Sequence, residues 1–358
     1  MKLLLITPFP PPMGGIANWS KLIYEELNNN YSDIEVRFIN TAPKKRSTEG
    51  RTLFDRVFNG FFSILKTSRL LKKEIKTFKP DVVHINTSGS LALFRDNKVL
   101  KILKRKKIRS ILHLRFGRVP EVLKCNNLES KLLKKSFNLT SIILCIDQKT
   151  YSSVVELYPN KTKCIPNPFV SDKMPIAKKL SVDKCNNEIS FLGWVVKTKG
   201  VEELLIAWKD IYSKYPNWKL NLIGPCDDNY LMTLKNNFSF AGVEVLGEKT
   251  HDDAMEIVNN SDIFVLPSYT EGFPNVILEA MYLGKAIVST DVGAIPEMLA
   301  DDCGIVIQSK NTQMLLESLE KVITDAELRA KLGNNASKKC EIYSIDNVLT
   351  QYIEIWFK

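Results

Sequence analysis

A chain of 358 residues has room for two domains, each with its own core, and is too long for a disulfide-stapled mini-fold. Hydrophobic residues at 44%, charged residues at 25%, and 16 each of Gly and Pro exclude disordered or collagen-like chains. The net charge of +10 is divided unevenly: residues 1–170 hold 31 Lys and Arg against 13 Asp and Glu, whereas residues 171–358 hold 19 against 27.

Short apolar runs alternate with amphipathic stretches from the first residues onward, which is the pattern of βα units around parallel sheets. In the basic half, strands are predicted at Leu3–Thr7, Ile34–Ile39, Val82–Ile85, Ile108–Leu114, Ser141–Ile146 and Lys163–Ile165. Helical patterns fall around 16–28, 53–77, 90–105, 128–137 and 148–157. The stretch Pro166–Asn187, with Pro166, Pro168, Pro175 and few large apolar residues, reads as a linker. A second series then places strands at Ile189–Leu192, Lys219–Ile223, Val243–Val245, Ile263–Leu266, Ala286–Ser289 and Gly304–Ile307. Helices are predicted near 200–214, 251–259, 274–283 and 311–323, and a polar patch at 333–341 precedes a last amphipathic stretch, Ile345–Phe357. The chain therefore reads as two consecutive doubly wound α/β domains, 1–168 and 169–344, with residues 345–358 free to cap the second or cross back to the first.

No apolar run approaches the ~18–20 residues of a membrane helix, and Leu3–Ile6 is too short for a signal-peptide core, so a cytoplasmic protein is expected. The 7 cysteines include no CxxC pair and lie apart from the 3 histidines, so free thiols and no metal site are expected. Open parallel sheets bind ligands where strands run into helix N-termini, and two such sheets facing each other would form a cleft.

The segments that follow strands carry the chemistry. Gly14 and Gly15 lie between the first strand and its helix, where glycine admits a close ligand and helix N–H groups meet an anion. His113 ends the fourth strand and is expected to point out of the core. His84, inside an apolar run, is expected to be structural, and His251 to start a helix. The richest run is Leu266-Pro267-Ser268-Tyr269-Thr270-Glu271-Gly272-Phe273-Pro274-Asn275-Val276-Ile277-Leu278-Glu279. Pro274 suits the first helical position, and Glu279 then lies about 7.5 Å further along the axis. A helix start between two carboxylates suits an anion flanked by hydroxyls.

This run resembles glycosyltransferase family 4, whose fold is the two-domain GT-B arrangement: Glu271 and Glu279 match its E-x7-E motif, and the likeness continues through Asp291-Val292-Gly293-Ala294-Ile295-Pro296-Glu297. The resemblance implies a retaining, metal-independent transferase that takes a nucleotide diphosphate sugar and needs no cofactor. It implies that Glu271 contacts the donor sugar and that Glu279 binds the ribose. Gly272, Phe273, Pro274 and Asn275 would then line the sugar and phosphates, and Lys199, before Gly200, would neutralise the diphosphate. The family commonly has Arg after the glycine at 193, where this chain has Trp194, so one positive charge on the leaving group is missing unless Lys197 or the first domain supplies it.

Aromatic and basic residues alternate in Arg51–Lys79, and Lys98, Lys101, Lys104, Arg105, Lys106 and Lys107 follow. Such segments suit anionic headgroups, which favours a peripheral enzyme on the cytoplasmic face of an inner membrane. Its acceptor would be a lipid-linked or oligosaccharide glycan of surface polysaccharide synthesis. With no base-stacking or helix-turn-helix signature, nucleic acid is not an expected partner. Two other readings stand beside this one: a glycoside hydrolase using both glutamates, and a non-catalytic membrane-docked binding subunit.

Overall fold

The computed structural model describes residues 1–12, 14–42, 53–172, 174–178, 180 and 185–357, with residues 53–63 described as backbone alone. The chain divides into two units, Met1–Asn167 with Val348–Lys358, and Pro168–Asn347.

In the first unit the elements run β1 (Lys2–Thr7), α1 (Gly15–Asn30), β2 (Glu35–Asn40), α2 (Leu53–Thr77), β3 (Val82–Thr87), α3 (Ala92–Arg105) and β4 (Arg109–Leu114). They continue with α4 (Val119–Lys124), α5 (Leu128–Leu139), β5 (Ile142–Cys145), α6 (Gln148–Val155) and β6 (Thr162–Cys164). The sheet is parallel, in the order β2-β1-β3-β4-β5-β6. Helices cover both faces of such a sheet, so its strands are apolar throughout. All six residues of β3 are buried, for example, and Leu3 to Ile6 of β1 are fully buried. Leu71, Phe78, Leu100, Leu103, Leu133 and Phe137 close the core from the helix side. Side-chain caps set two helix starts: Asn127 Oδ1 accepts from Ser130 N at 2.9 Å, and Asp147 Oδ1 from Thr150 N at 2.7 Å.

The second unit runs β7 (Glu188–Leu192), α7 (Val201–Lys214), β8 (Lys219–Ile223), α8 (Asp228–Asn237), β9 (Val243–Gly247), α9 (His251–Asn260) and β10 (Ile263–Leu266). There follow α10 (Asn275–Tyr282), β11 (Ala286–Thr290), α11 (Ile295–Met298), β12 (Ile305–Ile307), α12 (Thr312–Thr324) and α13 (Ala326–Cys340). Its parallel sheet has the order β12-β11-β10-β7-β8-β9, the strand order of a Rossmann fold. The last helix, α14 (Ile345–Phe357), buries Val348, Leu349, Tyr352 and Trp356.

The predicted strands all form, and both units are Rossmann-like, as the GT-B resemblance implies. Four helices, α4, α8, the four-residue α11 and α13, had no sequence expectation of their own. Helix α4 has only six residues, and α8 buries Leu234 alone, so neither shows a clear apolar stripe. The patch at 333–341 lies largely in α13, which Asp325 caps through Leu328 N at 2.8 Å and Arg329 ties back to Val322 O at 2.7 Å. The described part of the linker is tethered to α9: Asn259 accepts from Lys178 N at 2.9 Å and donates to Ile176 O at 2.9 Å.

Candidate active site

In the second unit the strand order reverses between β7 and β10, and a doubly wound sheet binds ligands beyond the carboxyl ends of strands at that point. Lys199 follows β7 and Glu271 follows β10, so residues 72 apart in sequence meet there. Lys199 Nζ donates to Glu271 Oε1 at 2.5 Å, and Ser268 Oγ donates to the same oxygen at 2.7 Å. The two side chains are 27% and 12% exposed, enough for a ligand to compete for the lysine. Tyr269 N donates to Thr198 O at 2.9 Å and locks the two loops together. The Tyr269 hydroxyl donates to Glu203 Oε1 at 2.5 Å, and Lys310 Nζ stands 4.8 Å from the Tyr269 ring centre.

Two glycines make the close approach possible. Gly200 has φ +73, and a Cβ there would lie 2.0 Å from Pro267 O. Gly293 has φ +57, and a Cβ would lie 2.4 Å from Gly272 O and 2.5 Å from Glu271 O. Only glycine fits either place. Ala294 N then donates to Gly272 O at 2.9 Å, so the β11–α11 turn braces the loop bearing Glu271.

Pro274 is the residue before α10 and not its first, with φ −76 and ψ 113. No side chain of the described residues caps this helix, and Pro274 brings no N–H, so the positive end of the helix begins at Asn275. Phe273 is buried edge-on against Tyr343, with ring centres 5.7 Å apart. Glu279 Oε1 lies 3.2 Å from His251 Nε2. That hydrogen bond raises the His251 pKa against the opposing effect of partial burial. Glu271, Gly272, Asn275 and Glu279 are all partly exposed, so the unit presents a carboxylate on each side of a helix start, with an ammonium beside one of them.

In the first unit the expectations hold less well. Gly14 is in extended backbone at φ 167, a conformation open to any residue, and a Cβ on Gly15 would meet nothing within 4 Å. The backbone angle at Gly14 does not require glycine, and the space beside Gly15 is open. His113 corrects the expectation that it points out of the core: it is fully buried. The rings of Trp19 and Tyr352 lie 5.6 and 5.9 Å from it, and His113 Nδ1 is 3.1 Å from His84 Nε2. His84, also fully buried, meets Trp356 of α14. Burial pushes the pKa of His84 down to about 3 and that of His113 well down, with the nearby Arg115 charge adding to both.

In the basic stretch, Leu70, Leu71, Ile75 and Phe78 pack in the core, so this part of the apolar face belongs to the fold and not to a membrane. The side chains at 51–63 lie outside the described residues. Lys98, Lys101, Lys104, Arg105, Lys106 and Lys107 are exposed.

Residues 172–339 match the family model of the glycosyl transferases group 1. The second unit of the chain is similar to that family. It is 32% identical over 171 residues to the capsular polysaccharide biosynthesis glycosyltransferase CapM of Staphylococcus aureus, covering 47% of this chain and 45% of CapM. It is 30% identical over 199 residues to the N,N'-diacetylbacillosaminyl-diphospho-undecaprenol alpha-1,3-N-acetylgalactosaminyltransferase of Campylobacter jejuni, covering 55% of this chain and 51% of that protein. The chain thus matches about half the length of these two relatives. In fold it resembles Anabaena HepE, solved in complex with UDP, with a TM-score of 0.73 and 17% identity over 99% of this chain and 98% of HepE.

Of the residues nominated from the sequence, Lys199, Glu271, Gly272, Phe273, Pro274, Asn275 and Glu279 gather at one end of the second sheet. Gly14, Gly15 and His113 lie in the first unit. Sequence reasoning missed Ser268, Tyr269 and His251 as partners, and Gly293 as the brace. A glycine after Asp291-Val292 was the available signal for the brace. Nothing local ties His251 to Glu279, which is 28 residues away.

Proposed function

We propose that this chain is a glycosyltransferase and takes a nucleotide diphosphate sugar in its C-terminal domain. It moves the sugar, with retention of anomeric configuration, to a lipid-linked or oligosaccharide acceptor in bacterial surface polysaccharide synthesis. One observation carries the donor half of this reading: Glu271, held by Lys199 and Ser268, and Glu279, held by His251, flank the start of α10 at the switch point of a Rossmann-like sheet. The order carboxylate, helix start, carboxylate matches sugar hydroxyls, diphosphate and ribose.

The bond from the anomeric carbon to the diphosphate breaks, and the leaving oxygens gain charge. Lys199 and the α10 amides stand where that charge develops, and such preorganised donors lower the barrier because they need no reorientation. The reaction as proposed needs no metal, since these groups take the leaving charge. Trp194, about half exposed, adds no charge to them. Support for the acceptor comes from the relatives named for capsular polysaccharide and for a diphospho-undecaprenol substrate. The exposed lysines and arginines of residues 98–107 support docking on an anionic leaflet, the cytoplasmic face of an inner membrane. Among the described residues no helix is long and apolar enough to cross one.

The test is a panel of nucleotide sugars with a polyprenyl-diphosphate-linked sugar as acceptor, reading nucleoside diphosphate release and the anomeric coupling of the product. Release with one donor and a retained anomer are expected, with or without EDTA. Inversion would remove the retaining mechanism. Absence of release with every donor would favour the non-catalytic binding subunit.

A further inference from the structure

In a parallel sheet, residues in register share a face, and so do residues two apart along a strand. Ile111 of β4 is opposite Ile142 of β5, and Leu144 of β5 is opposite Lys163 of β6. Arg109, Ile142, Lys163 and Ile165 therefore lie on one face of the first sheet, the face that also carries His113 and takes α14. That helix covers His113 with Tyr352, and beside Tyr352 it turns Gln351, Glu354 and Ile355 toward the β5–β6 edge. It does not fill the angle it makes with the strands. A cavity of about 270 Å³ remains, lined by Cys164 and by these residues of β4, β5, β6 and α14.

Arg109 and Ile142 are the first residues of their strands, whereas doubly wound sheets bind substrates beyond the carboxyl ends, so this cavity lies away from the substrate end of the sheet. Its lining combines an apolar floor, Ile142, Ile165 and Ile355, with two cations, Arg109 and Lys163. Among the described residues no carboxylate forms an ion pair with either cation. Arg109 is partly buried, and its Nη2 donates at 2.8 Å to Ile355 O, one of the last carbonyls of α14, which the helix itself leaves without a donor. That bond fixes the guanidinium in the wall and uses one of its five N–H groups. Burial lowers the Arg109 pKa and no carboxylate offsets it, so an anion at this wall would relieve an uncompensated charge. Glu354, which also lines the cavity, limits which anion fits. Two cations and one carboxylate leave one net positive charge, which matches the single charge of a phosphodiester. A phosphomonoester, at about −1.5 to −2, matches less well. At about 30 Å³ per water the space holds roughly nine waters, enough for a phosphodiester head and the first carbons of its chains.

We propose that this cavity binds the phosphodiester head of an anionic glycerophospholipid, with Arg109 and Lys163 on the phosphate and Ile142, Ile165 and Ile355 against the first carbons of its chains. The exposed turn Lys104–Lys107 leads into Arg109 and continues the positive charge at this end of the sheet. The site involves neither the donor nor the acceptor of the transferase reaction, and it stands whether or not that reading does.

The probe is dihexanoyl-phosphatidylglycerol, kept below its micelle concentration so that no lipid surface forms. Inorganic phosphate supplies the head without a tail, and octyl glucoside a tail without the phosphate. Isoleucine δ1-methyl spectra of the full chain, with the Ile142 and Ile355 signals identified by Ile142→Val and Ile355→Val, read both the place of binding and its affinity. Phosphatidylglycerol is expected to move both signals and to bind at least about tenfold more tightly than either control. Lys163→Gln, at an exposed position, should weaken that binding about tenfold or more, as the loss of one charged hydrogen bond implies. Glu354→Gln should leave it unchanged or tighten it, and Lys106→Gln, outside the cavity, should leave it unchanged. Ile142 and Ile355 signals that stay in place, or binding undiminished in Lys163→Gln, would overturn the proposal. Inorganic phosphate binding as tightly as the lipid would assign the cavity to a free phosphate, and octyl glucoside binding as tightly would leave the cations without a role; either result overturns the lipid site.

Discussion

Replacing Glu271 by Gln separates the two tasks given to the Lys199–Glu271 pair. The amide keeps the shape of the carboxylate and can still accept from Ser268 Oγ, which lies 2.7 Å from Oε1, but it loses the charge that holds Lys199 at 2.5 Å. A hydrogen bond between charged groups contributes about 1.5–3 kcal/mol. With the lysine 27% exposed, water recovers much of this, so the net loss of stability should be about 1 kcal/mol. Before a diphosphate can take Lys199 in the native protein, it must break this pair. In Glu271→Gln that cost is gone, so affinity for the nucleoside diphosphate should be unchanged or raised by up to about tenfold, equivalent to about 1.4 kcal/mol. Turnover should instead fall about 10²-fold or more, because the sugar loses the group that orients it. Calorimetric titration with the preferred diphosphate and an assay of its release measure the two quantities separately. A loss of diphosphate affinity in Glu271→Gln as large as that in Glu279→Ala would refute the assignment of sugar to one glutamate and ribose to the other.

Glu279→Ala should weaken nucleotide binding by about 10- to 100-fold, the equivalent of about one charged hydrogen bond, and titration calorimetry would show it. The His251–Glu279 contact raises the folded-state pKa of His251, so its contribution to stability is full below the unfolded pKa and is lost as pH rises through the raised value. At a half-exposed site it should amount to about 0.2–1 kcal/mol, so His251→Asn should melt earlier than the native protein near pH 5.5 and together with it near pH 9. Gly293→Ala combines left-handed backbone strain of about 1–2 kcal/mol with overpacking of about 1–3 kcal/mol against the Glu271 loop, and should lower both melting temperature and turnover. Trp194→Arg restores the charge common in the family and should raise turnover several-fold, read as initial rates at saturating donor.

The strands were legible because parallel strands buried on both faces are continuous apolar runs, as in Val82–Ile85 and Ile263–Leu266. Helix α13 was not, because Gly333, Asn334, Asn335 and Ser337 resemble a loop until Arg329 and Asp325 anchor the turn before them. In the site, Glu271 and Glu279 could be read together because they share one loop and one helix. The Lys199–Glu271 contact spans 72 residues, and no local pattern encodes it. His113 was misread for the same reason: Trp19 and Tyr352, which enclose it, come from the first and last helices.

The most direct test of the donor site compares the native protein with Glu279→Ala in a thermal-shift screen against UDP, GDP, ADP, CMP and dTDP, each with and without EDTA. A ligand at 100 times its Kd adds about 2.7 kcal/mol. For a domain of this size that raises the melting temperature by about 5–10 °C. Selective stabilisation by one diphosphate, unaffected by EDTA and largely lost in Glu279→Ala, is the predicted result. No shift with any nucleotide, or an equal shift in both proteins, would contradict the placement of the donor between Glu271 and Glu279.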